Sequence, residues 1–332
     1  MIITKYEQVK EVYAYAAKQG WVIPCICTEN QTTTEAILAS CSEYAKKTGK
    51  RVPISIAITV NYSHRSQAPN YSASEDWKTG LKLFLDDIHA FADEGCLYDN
   101  VDVLIHLDHV QFDSDAELHS GDLSAYSSIM FDASALPFDE NIKLTAEFVK
   151  KNRGKIVIEG ACDEIVDATG SQHNDLTTPE KAKRYFDETG VDMIVANLGT
   201  EHRATGKELK YHGDIAREIK NEIGANIVLH GTSSVTNDQV AKLYSDGICK
   251  VNIWTALERD SSPVLFEALV KNASKAAGEK MVDALIAEGY LTEKCRTGDK
   301  INIGFFTEKY RSDIIYGTMK AIVDDYLALW YV

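Results

Sequence analysis

The chain has 332 residues, 45% apolar and 26% charged, which is enough to bury a large core in one barrel-sized domain or two smaller ones. Its formal net charge of −15 argues against non-specific binding to nucleic acid or anionic membranes, yet leaves room for a local cationic pocket. The N-terminus lacks a basic region followed by an apolar core, and no run of about 18 apolar residues occurs, so neither a secretory signal nor a membrane span is expected.

Trp21 to Cys27 reads as a first strand, on which Cys25 and Cys27 point the same way. The seven cysteines are odd in number and lack paired spacing, so they read as reduced thiols of a cytoplasmic protein, mostly small core residues. Thr32 to Lys47 has helical spacing through Ala36, Ile37, Ala39 and Ala45. Val52 to Val60 reads as a second strand and Ser74 to Glu94 as a long helix with an apolar stripe. Val101 to Ile105 follows the turn-like Tyr98-Asp99-Asn100 and reads as a third strand, running into His106-Leu107-Asp108-His109. In a continuing strand His106 and Asp108 share one face, and Leu107 and His109 the other. Asp115 to His119 starts a short helix, Ser127 to Phe131 is a fourth strand, Asn141 to Lys151 a helix and Lys155 to Glu159 a fifth strand.

Thr178 to Thr189 reads as a helix with Thr178 as its cap and Pro179 in its first turn. Asp192 to Ala196 is a sixth strand, and Asp214 to Ile223 a helix ending at Gly224. Asn226 to His230 is a seventh strand, Asn237 to Ser245 a helix before Gly247, and Ile248 to Ile253 an eighth strand. From Thr255 the chain is mostly helical. This alternation predicts an α/β fold, a single (β/α)8 TIM barrel over residues 1–332 with C-terminal helices from about residue 256. An open doubly wound sheet is the second arrangement, but its G-x-G-x-x-G turn is absent.

In such a barrel, chemistry gathers at the C-terminal ends of the strands. Two polar loops fall there, 61–72 with Tyr62, His64, Arg65 and Tyr71, and 162–177. His109, His202 and His230 follow strands three, six and seven. Three imidazoles on a divalent ion leave a coordination position open for substrate, as in a catalytic zinc site. Asp108 is the adjacent proton-transfer candidate. His64, His89, His119, His173 and His212 read as surface groups or neighbours of the ligands. His230-Gly231-Thr232-Ser233-Ser234 reads as an anion cradle, to which Asn252 and Thr255 add donors.

These motifs resemble the class II, metal-dependent ketose-bisphosphate aldolases, the group holding fructose- and tagatose-1,6-bisphosphate aldolases. The resemblance runs from about residue 10 to 260 and includes Ser128-Ile129-Met130-Phe131-Asp132-Ala133-Ser134, Gly199-Thr200-Glu201-His202 and Lys250-Val251-Asn252-Ile253. It implies one catalytic Zn²⁺ on His109, His202 and His230, with other divalent ions as alternatives. It gives Asp108 the proton at the aldehyde-derived oxygen, and Asn252 a hold on the ketone-derived enediolate. Gly231, Ser233 and Thr255 then bind phosphate, and Thr59 stands where the family has a serine for the other half of the substrate. A homo-oligomer, dimer or tetramer, is implied as well.

The chain also departs from that pattern. Ala161 replaces a glutamate, Arg203 a glycine, Thr232 a second glycine and Trp254 an aspartate, while a lysine position holds Gly206 beside Lys207. Residues 163–170 replace the glutamate-bearing mobile loop, leaving Glu164 and Asp167 as candidates for the second proton transfer. Arg311 lies near the place of an arginine for the second phosphate. The expected activity is therefore a metal-dependent aldolase acting on a phosphorylated ketose or similar anion, with Arg203 as an anion-binding partner. Two alternatives are a metal-dependent enzyme for a non-phosphorylated acidic substrate and a catalytically weak binding or regulatory descendant.

Overall fold

Strands that are buried on both faces need helices around them, and the strands of this chain are short and almost wholly buried. A computed structural model describes residues 1–164 and 176–332. In it α1 (Tyr6–Gln19) precedes β1 (Ile23–Cys27), α2 (Gln31–Thr48), β2 (Pro53–Ile58), α3 (Trp77–Ala92) and β3 (Asp102–Gln111). Next come α4 (Ala116–Ser120), β4 (Ser128–Asp132), α5 (Phe138–Asn152), β5 (Val157–Ala161), α6 (Pro179–Thr189) and β6 (Met193–Val195). Then follow α7 (Gly213–Ile223), β7 (Ile227–Leu229) and β8 (Ile248–Ile253). The C-terminal part holds α8 (Thr255–Lys271), α9 (Ala273–Ala277), α10 (Glu279–Ala287), α11 (Ile303–Phe306) and α12 (Glu308–Trp330).

The described strands form a closed barrel in sequence order, every neighbouring pair parallel and β1 closing on β8. This is the TIM barrel that the alternation predicts. No described helix is long and apolar enough to cross a membrane.

Two element assignments change. The reading from sequence places nothing before Trp21, where α1 lies with Val9 and Ala16 buried. The helix expected over Asn237 to Ser245 is replaced by turns and a short 3-10 segment, Leu243–Asp246. Tertiary hydrogen bonds compete for that stretch. Gln239 accepts from Tyr211 N at 2.9 Å and donates to Leu209 O at 3.1 Å, and Val240 O accepts from Trp330 Nε1 at 2.9 Å. The apolar C-terminal residues Leu327, Trp330 and Tyr331 are buried in this chain's own core, with Tyr331 donating to Pro53 O.

Inside the barrel, alternation turns Cys25 and Cys27 of β1 and Ser55 and Ala57 of β2 toward the axis. These small side chains leave room for the long Lys250 from β8 and for Trp254, which packs on Cys25, Cys27 and Ala57. All seven cysteines are free thiols.

Candidate active site

A regular strand would send Asp108 and His109 to opposite faces. β3 avoids this with one extra residue. Leu107 pairs with Ile129 and Val110 with Phe131, so Asp108 and His109 together face Met130. His109 adopts a φ of +46°, a left-handed conformation uncommon outside glycine. The expected sharing of a face by Leu107 and His109 therefore does not hold, and Asp108 and His109 line the same cavity. That cavity lies at the C-terminal ends of the strands and spans about 540 Å³ including its open mouth.

His202, after β6, and His230, after β7, line it too. One nitrogen from each of His109, His202 and His230 can be chosen so that all lie within 4.8 Å of one another. His109 Nε2 is 3.2 Å from His230 Nδ1, close to the separation of about 3.3 Å that tetrahedral bonds of about 2.0–2.1 Å impose. The other nitrogen of His109, Nδ1, lies 2.8 Å from Asp132 Oδ2. Donation to that carboxylate leaves Nε2 bare in the neutral ring, as a ligand must be. His230 Nε2, on the far side of the ring from that pair, is buried without a hydrogen-bond partner. The donor set fits zinc or a similar divalent ion.

The surroundings act differently on the two imidazoles. Burial drives the His230 imidazole well below its usual pKa and keeps it neutral. Burial also opposes charge on His109, but Asp108 and Asp132 outweigh it and raise that pKa. Burial would raise the Asp132 carboxyl, yet the His109 contact and Ser134 bring it down to about 2. Asp108 is likewise buried, yet the charge of neighbouring His109 holds it well below the usual carboxylate range.

Asp108 is fixed from several sides. Asn252 Nδ2 donates to its Oδ1 at 2.8 Å, and Cys27 Sγ lies 3.5 Å from Oδ2. Asn252 Oδ1 is buried and unpartnered, an acceptor at the cavity wall. Tyr62 covers the metal-type cluster, its ring stacked on His109 with centroids 4.0 Å apart and planes 4° from parallel. The loop carrying Tyr62 is seated by Gly80 of α3, where a Cβ would come within 1.7 Å of Ala68 O.

The expected anion cradle lines the cavity through Gly231, Thr232, Ser233 and Thr255. Gly231 has a φ of +70°, and a Cβ there would meet the Glu201 backbone at 2.7 Å, so only glycine fits without strain. Thr255 opens the 17-residue α8, whose N-terminus adds partial positive charge. Arg259 of the same helix donates to Ser233 O at 2.9 Å and Ala204 O at 3.1 Å, bracing the turn.

Other expected residues divide. Thr59 lines the cavity, but its hydroxyl donates to Arg65 O and accepts from Gln67 N at 3.1 Å. Arg203 lines the cavity in a left-handed conformation with φ +55°, and it donates to His64 O at 3.0 Å. Lys207 is exposed and does not line the cavity. Trp254 lines it, with the Arg65 guanidinium 5.1 Å from its ring centroid and Glu29 holding Arg65 from the other side. Ala161 is buried in β5. Glu164 is exposed and does not line the cavity, and Arg311 bonds Phe306 O away from it. Asp167 and His173 lie outside the described residues.

The reading from sequence placed Tyr62, Asp132 and Lys250 in the stretches it singled out but gave them no individual role, and it did not single out Arg259. Asp132 ends β4 on the inward face, so alternation from Ser128 through Met130 could have found it. Tyr62 carried no signal beyond the polarity of its loop.

A sequence model described as fructose-bisphosphate aldolase class-II matches residues 7–298. Among solved structures, a fructose-bisphosphate aldolase from Campylobacter jejuni superposes with a TM-score of 0.72 at 18% identity, over 99% of this chain and 95% of that one. The YdjI aldolase from Escherichia coli K12 gives a TM-score of 0.65 at 17% identity, over 99% and 97%. A putative fructose-1,6-bisphosphate aldolase from Coccidioides immitis gives 0.64 at 21% identity, over 97% and 95%. At these identities the superpositions speak for the fold.

Proposed function

Because the chain belongs to the class-II fructose-bisphosphate aldolase family of carbon–carbon lyases, we propose that it is a metal-dependent aldolase cleaving or forming a C–C bond of a phosphorylated ketose. The observation that carries this reading is the cluster of three histidine nitrogens within 4.8 Å, beside an Asp108 carboxylate held at 2.8 Å by Asn252. A divalent ion such as zinc on His109, His202 and His230 supplies Lewis-acid stabilisation of the negative charge left on the ketone half.

The chain's own residues do the rest. Asp108, ionised at neutral pH, takes the proton from the substrate hydroxyl during cleavage and returns it during condensation. Asn252 sets the direction of that carboxylate. The Gly231–Ser233 turn and the N-terminus of α8 at Thr255 bind the phosphate of the ketone half. Arg203, reaching across the mouth to His64, bounds the other half and can meet an anionic group there. Glu164 has no step in this scheme. The exposed Phe266, Tyr290, Ile301 and Ile303 on the C-terminal segment support a homo-oligomer, and we place the enzyme in the cytoplasm.

The test is to incubate zinc-loaded protein with fructose-1,6-bisphosphate, tagatose-1,6-bisphosphate and a panel of ketose monophosphates, following triose release. Cleavage of at least one is expected. Zinc-loaded protein that cleaves none would sink the reading.

A further inference from the structure

Beneath the cavity floor lies a layer of charge that the scheme above does not use. Lys250, Glu159 and His106 are all fully buried. They come from β8, β5 and β3, and Lys250 and His106 each lie one step deeper in their strand than the cavity residues Asn252 and Asp108. Lys250 Nζ lies 2.5 Å from Glu159 Oε1 and 3.1 Å from His106 Nε2. His106 Nδ1 lies 2.8 Å from Ser128 Oγ. Lys250 does not line the cavity, so it is not placed to form a covalent adduct with substrate.

The shortest contacts of this layer, rather than the longer 3.7 Å approach of His106 Nε2 to Glu159 Oε2, point to one assignment. An ammonium only donates. Lys250 therefore gives one proton to Glu159 and another to His106 Nε2, which must be bare. His106 then carries its proton on Nδ1 and donates to Ser128 Oγ. His106 Nε2 is also 3.5 Å from Asp108 Oδ1. A proton on that nitrogen would make the ring a donor to the carboxylate and occupy a lone pair needed for substrate.

We propose that Lys250, anchored by Glu159, is a positioning residue for Asp108. By donating to His106 Nε2 it fixes the Nδ1–H tautomer and keeps His106 from capping the carboxylate, which stays open to a substrate hydroxyl. The role given to Asp108 rests on the aldolase reading; the tautomer does not. A buried Lys–Glu pair is weak evidence for stability, since apolar replacements of both partners are often tolerated. A role in positioning explains its place directly under the reacting carboxylate.

The test is imidazole nitrogen NMR of His106 in the zinc-loaded wild-type protein and in the double variant Lys250→Met with Glu159→Leu. Replacing both partners avoids a lone buried charge that would unfold the barrel. The wild type should show the Nδ1–H tautomer. The double variant should shift to Nε2–H, keep its zinc, and lose roughly tenfold or more in kcat with KM within about twofold. A wild-type ring protonated on Nε2 overturns the proposal without any variant. So does a double variant with wild-type kcat. A wild type that cleaves no ketose phosphate removes the aldolase reading, and the wild-type tautomer still decides the Lys250 contact.

Discussion

Asp132 Oδ2 lies 2.8 Å from His109 Nδ1, the ring nitrogen that does not face His230. This contact fixes the ring's tautomer and its rotation about the barrel mouth. Asp132→Asn should weaken zinc binding by roughly 10- to 100-fold while the barrel stays folded. Competition with a chromophoric chelator measures this, and an unchanged affinity would show that the carboxylate does not orient a ligand.

His202 enters the cluster from the loop after β6, His109 from within β3, and His230 from the residue after β7. His202→Ala leaves two imidazoles, too few for tight zinc binding. Zinc per chain, read by elemental analysis after dialysis, should fall close to zero. Full occupancy in that variant would refute the ligand assignment.

Asp108 is the group that separates chemistry from binding. Asp108→Ala removes the proton acceptor but none of the three histidines. The kcat should drop by roughly 10²- to 10⁴-fold with zinc content preserved. Turnover near the wild-type level would move proton transfer to another residue.

Gly231 joins backbone strain to phosphate binding. Gly231→Ala puts a methyl 2.7 Å from the Glu201 backbone at a φ of +70°. The expected cost is about 1–3 kcal/mol of stability, with a raised KM for phosphorylated substrates. Calorimetry and initial rates check both, and an alanine variant with unchanged melting and KM would mean the turn relaxes freely.

The cysteines give a pH test. Burial pushes the Cys25 and Cys249 thiols up to about 12 and holds Cys27 well above its usual value. A raised thiol pKa means almost no thiolate near neutral pH. Iodoacetamide at pH 7.5 should therefore modify the partly exposed Cys96 while sparing Cys27 in the cavity together with Cys25 and Cys249, whose labelling grows only as pH rises. Fast loss of activity through Cys27 alkylation would contradict this.

The barrel was legible because its signals are local and redundant. Apolar runs at Val52 to Val60 and Ile248 to Ile253 alternate with helical spacing, and each pair repeats the same instruction. The segment from Asn237 to Ser245 misled because Gln239 and Val240 bond to distant loops and to Trp330, contacts no local pattern carries. The three histidines were legible from their place at strand ends, and the structure brings them together. Tyr62 over His109 and Lys250 under His106 depend on how loops and strands meet across the axis. Spacing along one chain does not encode that.

The extra residue in β3 has a consequence for how this site can change. A regular strand of one fewer residue points either Asp108 or His109 at the axis, not both. The ligand and its neighbouring carboxylate thus share the axis only because β3 carries one residue more than its partner there. Point substitutions treat them as two independent positions. A one-codon deletion anywhere between Leu107 and Val110 would erase the pairing of roles in one step and return β3 to regular alternation.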